Sequence, residues 1–291
     1  MSDDGIRQVT VLGAGTMGHG IAQAVAQAGL DVFLVDADEG ALERGFRQIR
    51  RNLDEGVARG KVTESERAAA LERLRGRTDI ETSARTSGLV IEAVPERLDL
   101  KVQVFKAVES VASEHAILAS NTSSLSITAL QRSLERPGRV LGLHFFNPVH
   151  AMRLVEVVRG DDTAADVVAS AAEFARRLGK EPIVVRDSPG FASSRLGLAL
   201  GLEAMRMLEE GVASAQDIDR AMELGYRHPM GPLRLTDLVG LDVRLGIAQY
   251  LHERLGGERF APPAILRRLV AEGKLGRKTG EGFYRWEDGP A

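Results

Sequence analysis

The stretch Val9-Thr10-Val11-Leu12-Gly13-Ala14-Gly15-Thr16-Met17-Gly18 decides the architecture of this chain. The apolar run over 7–12 reads as a strand, and the Gly-x-Gly-x-x-Gly that follows opens a helical pattern lasting to about Ala28, where Gly29 ends it. In that context each glycine has a distinct purpose: a tight turn, backbone approach to a pyrophosphate, and close helix–strand packing. The first N–H groups of the helix then face the phosphates of a dinucleotide. Gly13, Ala14, Gly15, Thr16, Met17 and Gly18 are therefore candidate cofactor contacts. A second strand over 31–35 ends at Asp36, 18 residues after Gly18, where an acid accepts from ribose hydroxyls. Asp38 and Glu39 are also acidic, and no Arg or Lys intervenes before Arg44. A 2′-phosphate would meet negative charge there, so the pattern favours NAD over NADP.

Outward from this turn, strand-like runs recur at 88–94, 116–120 and 139–145, with helical patterns between them, notably 98–112. Apolar strands alternating with helices predict an α/β fold with a Rossmann-like, doubly wound, mostly parallel sheet. The stretch 38–76 exceeds an ordinary crossover and reads as two charged helices broken near Gly60. Strands near 153–159 and 181–185, flanking a helix over 163–178, complete a first domain at about 187. Beyond Asp187-Ser188-Pro189-Gly190 the pattern turns helical, with segments at 190–210, from Ser214 to Gly225, at about 235–255 and at 262–273. The expected organisation is a nucleotide-binding domain over 1–187 carrying a helical insertion at 38–76, then an all-helical domain over 188–291. The 190–210 segment is apolar nearly all round and so reads as buried, with Gly197 and Gly201 on one face marking close approach by another helix or a ligand.

Composition narrows the chemistry. Apolar residues at 44% and charged residues at 27% of 291 describe a globular protein able to bury a full core. A net charge of -3 gives no basic surface for nucleic acid. The absence of cysteine excludes thiolate nucleophiles, disulfides and Cys-ligated zinc, and no metal site is expected. The N-terminus passes from acidic residues straight into a strand, and no run approaches a membrane span, so a cytoplasmic protein is the expectation. Arginine outnumbers lysine 32 to six, which singles out each lysine, since a compact ammonium and a planar guanidinium are not interchangeable.

His144-Phe145-Phe146-Asn147-Pro148, with Glu156 twelve residues later, carries the reaction chemistry. The pattern is strand, Asn-Pro corner, strand, a return that can set the Glu156 carboxylate beside the His144 imidazole. A carboxylate-held histidine near a nicotinamide can take a proton from an alcohol while hydride leaves its carbon. By itself the pair fits equally a core histidine beside a chance edge charge. His19 and His228 read as packing or backbone partners, and His115, His150 and His252 have no partner legible in the sequence.

With VTVLGAGTMGHGIAQ, SNTSSLSIT, GLHFFNPVHAMRLVEVV, DSPGF, DIDRAM, HPMGP and GRKTGEGFY in this order, the chain resembles the L-3-hydroxyacyl-CoA dehydrogenase family in its short, single-function bacterial form, over essentially its whole length. The resemblance implies that His144 is the catalytic base and Glu156 its orienting carboxylate. It implies that the Ser123 hydroxyl lies between substrate carbonyl and nicotinamide, and that Glu96, Lys101, Asn147 and Lys278 contact NAD. It further implies that the helical pair near the second strand helps hold coenzyme A, with Asn52, Arg59 and Lys61 as candidates, and that the helical domain pairs in a homodimer. One position departs: Ser194 stands where similar sequences carry an Asn that meets the substrate, replacing a donor–acceptor amide with one hydroxyl.

The activity implied is NAD-dependent oxidation of (S)-3-hydroxyacyl-CoA, on short chains such as 3-hydroxybutyryl-CoA or on a dicarboxylic one such as 3-hydroxyadipyl-CoA. A same-fold dehydrogenase of a free hydroxy acid, and an NAD-binding protein without chemistry, are the other expectations.

Overall fold

The computed structural model describes residues 6–287. The chain separates into two compact units, one ending at Ser188 and the other beginning at Pro189. Among the described residues no helix is long and apolar enough to cross a membrane.

The first unit runs β1 (Gln8–Leu12), α1 (Thr16–Gln27), β2 (Asp31–Val35), α2 (Glu39–Ala58), α3 (Glu64–Glu72), β3 (Leu74–Arg77), α4 (Ile80–Ala84), β4 (Leu89–Glu92), α5 (Leu98–Glu109), β5 (Ile117–Ser120), α6 (Ile127–Gln131), β6 (Val140–Phe145), β7 (Leu154–Arg159), α7 (Ala165–Arg177) and β8 (Glu181–Arg186). The strands form one sheet in the order β3-β2-β1-β4-β5-β6-β7-β8. All neighbours are parallel except β6 and β7. The continuous apolar strands are buried on both faces, as a helix-covered parallel sheet requires. The strand order reverses between β1 and β4, so their C-terminal ends open the crevice in which such sheets bind ligands.

The 38–76 pattern predicts helices alone, but its last residues build β3, parallel to β2. Leu74-Arg75-Gly76-Arg77 has no apolar run to announce a strand. Its form comes from the open edge of β2, where Val32 N donates to Arg73 O at 2.9 Å and Asp36 N to Arg77 O at 3.2 Å. Flanking arginines suit an edge strand, where charge discourages pairing with another chain.

The second unit runs α8 (Ser193–Glu209), α9 (Ala215–Tyr226), α10 (Pro232–Val239), α11 (Leu241–Leu255) and α12 (Ala264–Ala271) around a core that includes Leu198, Leu202, Met205, Leu233, Leu251 and Phe260. Two expectations need correction here. The pattern over 235–255 is not one helix: Gly240, at φ 105°, separates α10 from α11. Nor is α8 buried all round, because Leu196 is 71% exposed within the chain. Of the two glycines only Gly201 marks close approach: a Cβ there would stand 3.1 Å from Thr236 Oγ1, whereas one on Gly197 would make an ordinary contact, 3.7 Å from Arg244 Nη1.

Two buried carboxylates tie this unit together. Asp219 on α9 accepts from Leu233 N at 2.8 Å and Arg234 N at 2.9 Å, capping α10 from outside, and from Tyr284 Oη at 2.7 Å. Asp237 accepts from Phe283 N, Tyr284 N and Trp286 Nε1 at 2.8–3.0 Å, closing the GEGFY turn onto α10. Burial pushes the Asp237 carboxyl above its ordinary range, and burial together with Asp219 does the same to the Tyr284 phenol. Asp219→Ala leaves Leu233 N and Arg234 N without their side-chain acceptor, while Tyr284 Oη keeps Ala215 O at 3.0 Å, so it should destabilise the second unit by about 1–3 kcal/mol. Urea unfolding followed through Trp286, the only tryptophan, measures this; an unchanged midpoint would refute the clamp.

Candidate active site

At the C-terminal end of β1 the glycine turn is shaped by three different constraints. Gly13 has φ 98°, and a Cβ there would lie 2.6 Å from Ala93 O at the end of β4. A Cβ on Gly18 would sit 1.7 Å from Gly13 O, so only glycine allows α1 to start so close to β1. Around Gly15 nothing lies within 4 Å of the added carbon, leaving the face above the first turn of α1 open. No side chain caps that helix end, so its N–H groups are available to an anion. Asp36 closes the other side: Oδ2 accepts from Ala14 N at 2.8 Å and Oδ1 from Asp38 N at 3.0 Å. Arg44 is drawn to Asp38 Oδ2 at 3.1 Å, and Asp38, which also caps α2, is held below the usual carboxylate range by these contacts. An open glycine cradle at a helix N-terminus, bordered by a carboxylate, fits a dinucleotide pyrophosphate and its ribose.

Beside it, β4 and β5 end in a buried network. Glu92 and Lys101 are both buried, with Lys101 Nζ donating to Glu92 Oε1 at 2.7 Å, and Ser120 Oγ donating to Glu92 Oε2 at 2.7 Å. Burial pushes the Glu92 carboxyl up, an effect opposed by Lys101. Lys101 also reaches Glu96 Oε2 at 3.2 Å. Glu96 in turn accepts from Thr122 Oγ1, from Ser123 N at 3.2 Å and from Ser124 Oγ at 3.3 Å. Glu96, Lys101 and Ser123 are thus brought into one chain of contacts. Glu92, Thr122 and Asn121, whose Oδ1 accepts from Phe145 N at 2.9 Å, went unnoticed in the sequence. The one available signal was an acid inside the apolar run Leu89-Val90-Ile91-Glu92.

His144 and Glu156 are directly opposed across the antiparallel β6–β7 pair, so their side chains project from the same face. Nδ1 of His144 lies 2.7 Å from Glu156 Oε2, both groups are buried, and Phe146 packs against the imidazole at 4.4 Å between ring centroids. Asn147 follows on the exposed return. The return is pinned by Lys180, buried and depressed in pKa by that burial, whose Nζ donates to Val149 O and, at 2.8 Å, to Met152 O. Lys180 is one of the six lysines that the composition singles out, though no role for it was legible in the sequence.

The remaining candidates have partners or settings of their own. Asn52 bridges Gln48 and Gln23, both at 2.9 Å, and so ties α2 to α1. Arg59 and Lys61 are exposed at the end of α2 and lie close enough to His150 to depress its pKa, though burial is the larger cause. In the second unit, Ser194 is the second residue of α8 and half-buried, and Lys278 holds both oxygens of Asp242 at 2.6 and 2.7 Å. His19 Nδ1 meets Gly15 O at 2.8 Å and His252 Nδ1 meets Gly257 O at 2.9 Å, both local backbone partners.

Residues 8–188 match the model of the 3-hydroxyacyl-CoA dehydrogenase NAD binding domain, and residues 190–286 that of the 3-hydroxyacyl-CoA dehydrogenase C-terminal domain. A probable 3-hydroxybutyryl-CoA dehydrogenase of Bacillus subtilis is 42% identical over 283 residues, covering 97% of this chain and 98% of that protein. The mitochondrial hydroxyacyl-coenzyme A dehydrogenase of Homo sapiens is 42% identical over 289 residues, 97% of this chain and 92% of that one. The crystal structure of (S)-3-hydroxybutyryl-CoA dehydrogenase PaaH1 from Ralstonia eutropha superposes with a TM-score of 0.93 at 42% identity, over 97% of this chain and 99% of that one. A dinucleotide cradle, a buried histidine–carboxylate pair beyond it, and matches along the whole described chain lead to one conclusion: this chain belongs to the 3-hydroxyacyl-CoA dehydrogenase family of NAD-dependent oxidoreductases.

Proposed function

We propose that this chain interconverts short (S)-3-hydroxyacyl-CoA and 3-ketoacyl-CoA thioesters, 3-hydroxybutyryl-CoA among them, with NAD as the partner. The observation that carries this is the 2.7 Å contact between His144 Nδ1 and buried Glu156 on the sheet that bears the cofactor cradle. With Nδ1–H donated to the carboxylate, Nε2 is the nitrogen that accepts a proton from the C3 hydroxyl. Bound NAD supplies the acceptor for the C3 hydride. Glu156 fixes the ring's tautomer and offsets the positive charge it gains; in the reverse direction the imidazolium returns its proton to the 3-keto oxygen. Ser123 is assigned to the substrate carbonyl. Its loop is positioned through the Glu96 contact to its backbone N–H.

Asp36 is assigned to the ribose hydroxyls, the Gly13–Gly18 turn to the pyrophosphate, and Glu96, Lys101, Asn147 and Lys278 to further cofactor contacts. Lys101 and Lys278 each arrive held by carboxylates, Glu92 and Asp242. For coenzyme A, exposed Arg59 and Lys61 remain candidates, whereas the side-chain bridges of Asn52 favour packing. Ser194 is assigned to the substrate in place of the family's Asn. Leu196, Leu224 and Tyr226, large apolar residues exposed on the second unit, are the surface proposed to pair in a twofold homodimer. A cytoplasmic setting suits a cysteine-free chain. The substrate named for the Bacillus subtilis and Ralstonia eutropha proteins supports the short-chain assignment.

The deciding assay is loss of NADH absorbance with acetoacetyl-CoA against free acetoacetate. Turnover of the thioester alone is expected; turnover of the free acid alone would transfer the protein to hydroxy-acid chemistry, and no turnover would make it a binding protein. His144→Gln should still bind NADH but lose kcat by at least about 100-fold, the lower end for a positioned acid–base group. An active variant would place the chemistry elsewhere. With Asp36 at the ribose and Arg44 committed to Asp38, kcat/KM for NAD should exceed that for NADP by at least about tenfold, since an unpaired phosphate beside a carboxylate is costly. Equal efficiency would reject the role of Asp36.

A further inference from the structure

β6 runs three residues beyond the support that β5 gives it: the parallel pairing of the two strands ends at Ser120 and Gly142, whereas β6 continues through Phe145. His144 lies in that overhang. On the β7 side it is opposed by Glu156. On the β5 side the chain has already turned away. Thr122 Oγ1 accepts from Ser124 N at 3.2 Å and from Leu125 N at 2.8 Å, folding residues 122–125 into the loop that carries Ser123.

Among the described residues the overhang is closed on that side by the side chain of Asn121. Its Oδ1 accepts from Phe145 N at 2.9 Å, in the place of the carbonyl that a continued β5 would have supplied. Phe145 is only 2% exposed, so its N–H, deprived of that oxygen, would be left buried without an acceptor. The carboxamide can serve in one orientation alone, because its nitrogen would set donor against donor. The backbone of Asn121 is fixed as well, its N–H donating to Glu92 O at 2.8 Å. One residue at the end of β5 thus joins the ends of β4 and β6, and Ser123 follows two positions later.

We propose that Asn121 is a positioning residue for the proton transfer: its carboxamide oxygen fixes the backbone beside His144 and, with it, the placement of the imidazole relative to the Ser123 loop. This rests on the proposed function's assignment of His144 as the base. Glu156 orients the ring, but it is carried by β7 and so moves with the β6–β7 pair. The Asn121 contact holds the free end of that pair against β5. Without it residues 143–145 must shift to satisfy the Phe145 N–H, and a displacement of about 1 Å in a reacting group costs on the order of 100-fold in rate.

The test is a double-variant cycle in kcat for reduction of acetoacetyl-CoA by NADH, using the full chain. Asn121→Ala should lower kcat by at least about tenfold, while KM for the thioester and Kd for NADH stay within about twofold. Asn121→Asp keeps an oxygen facing the Phe145 N–H and should recover most of that loss. Asn121→Ala combined with His144→Gln should be no slower than His144→Gln alone, because a group that acts through the imidazole then has nothing left to position. An unchanged kcat in Asn121→Ala overturns the role, even with a lowered melting temperature, which would make the contact structural only. A loss that multiplies with that of His144→Gln, or no recovery in Asn121→Asp, also overturns it. If the wild-type protein turns nothing over, or His144→Gln stays active, the proposed function itself fails and the positioning role falls with it, a result visible before any Asn121 variant is made.

Discussion

The antiparallel pairing of β6 with β7 is the constraint on which the proposed chemistry depends. Up to β6 the sheet is parallel, and parallel neighbours would bring residues together only after long crossovers. Reversing direction at the 146–153 return makes His144 and Glu156 direct neighbours across one ladder. A slip of one residue would turn Glu156 to the opposite face, leaving one buried carboxylate and one buried imidazole each without the other. Register is defended by apolar Leu143, Phe145, Val155 and Val157, buried on the opposite face of the two strands, and by Lys180 holding the backbone of the return.

The same principle recurs through the molecule. Buried carboxylates are tolerated where several donors converge, and each such centre joins segments distant in sequence. Glu92 draws β4, α5 and β5 together and, through Lys101 and Glu96, reaches the loop carrying Ser123. Asp219 and Asp237 do the corresponding work in the helical unit, capping α10 and closing the GEGFY turn. The cofactor end of the sheet is thus rigid by hydrogen bonding, which suits groups that must hold a nicotinamide and a hydroxyl in reacting geometry. Arg244 stands out against this pattern as a buried charge without that kind of satisfaction.

Much of the fold was legible because its signals are local. The glycine turn, the alternation of apolar strands with amphipathic helices and the change after Pro189 each depend on residues adjacent in the chain. β3 escaped because Leu74–Arg77 lacks strand character of its own and takes that form only at the open edge of β2. The break at Gly240 escaped because helical periodicity continues on both sides of it. Asn52 has the composition of a ligand contact, yet its amide is committed between α1 and α2.

Sequence by itself determined the fold class, NAD as the cofactor and the family, since these rest on short motifs whose geometry is dictated by backbone sterics and local charge. It also named Lys101 and Glu96 without disclosing Glu92, which binds the first of them. Only the tertiary structure decided which polar groups are satisfied by one another. Lys101 meets Glu92, Lys180 meets the 146–153 return, and Arg244 meets no carboxylate among the described residues. The reason is physical: a side chain's partner in a low-dielectric interior is set by long-range packing, and no spacing along the chain encodes it directly.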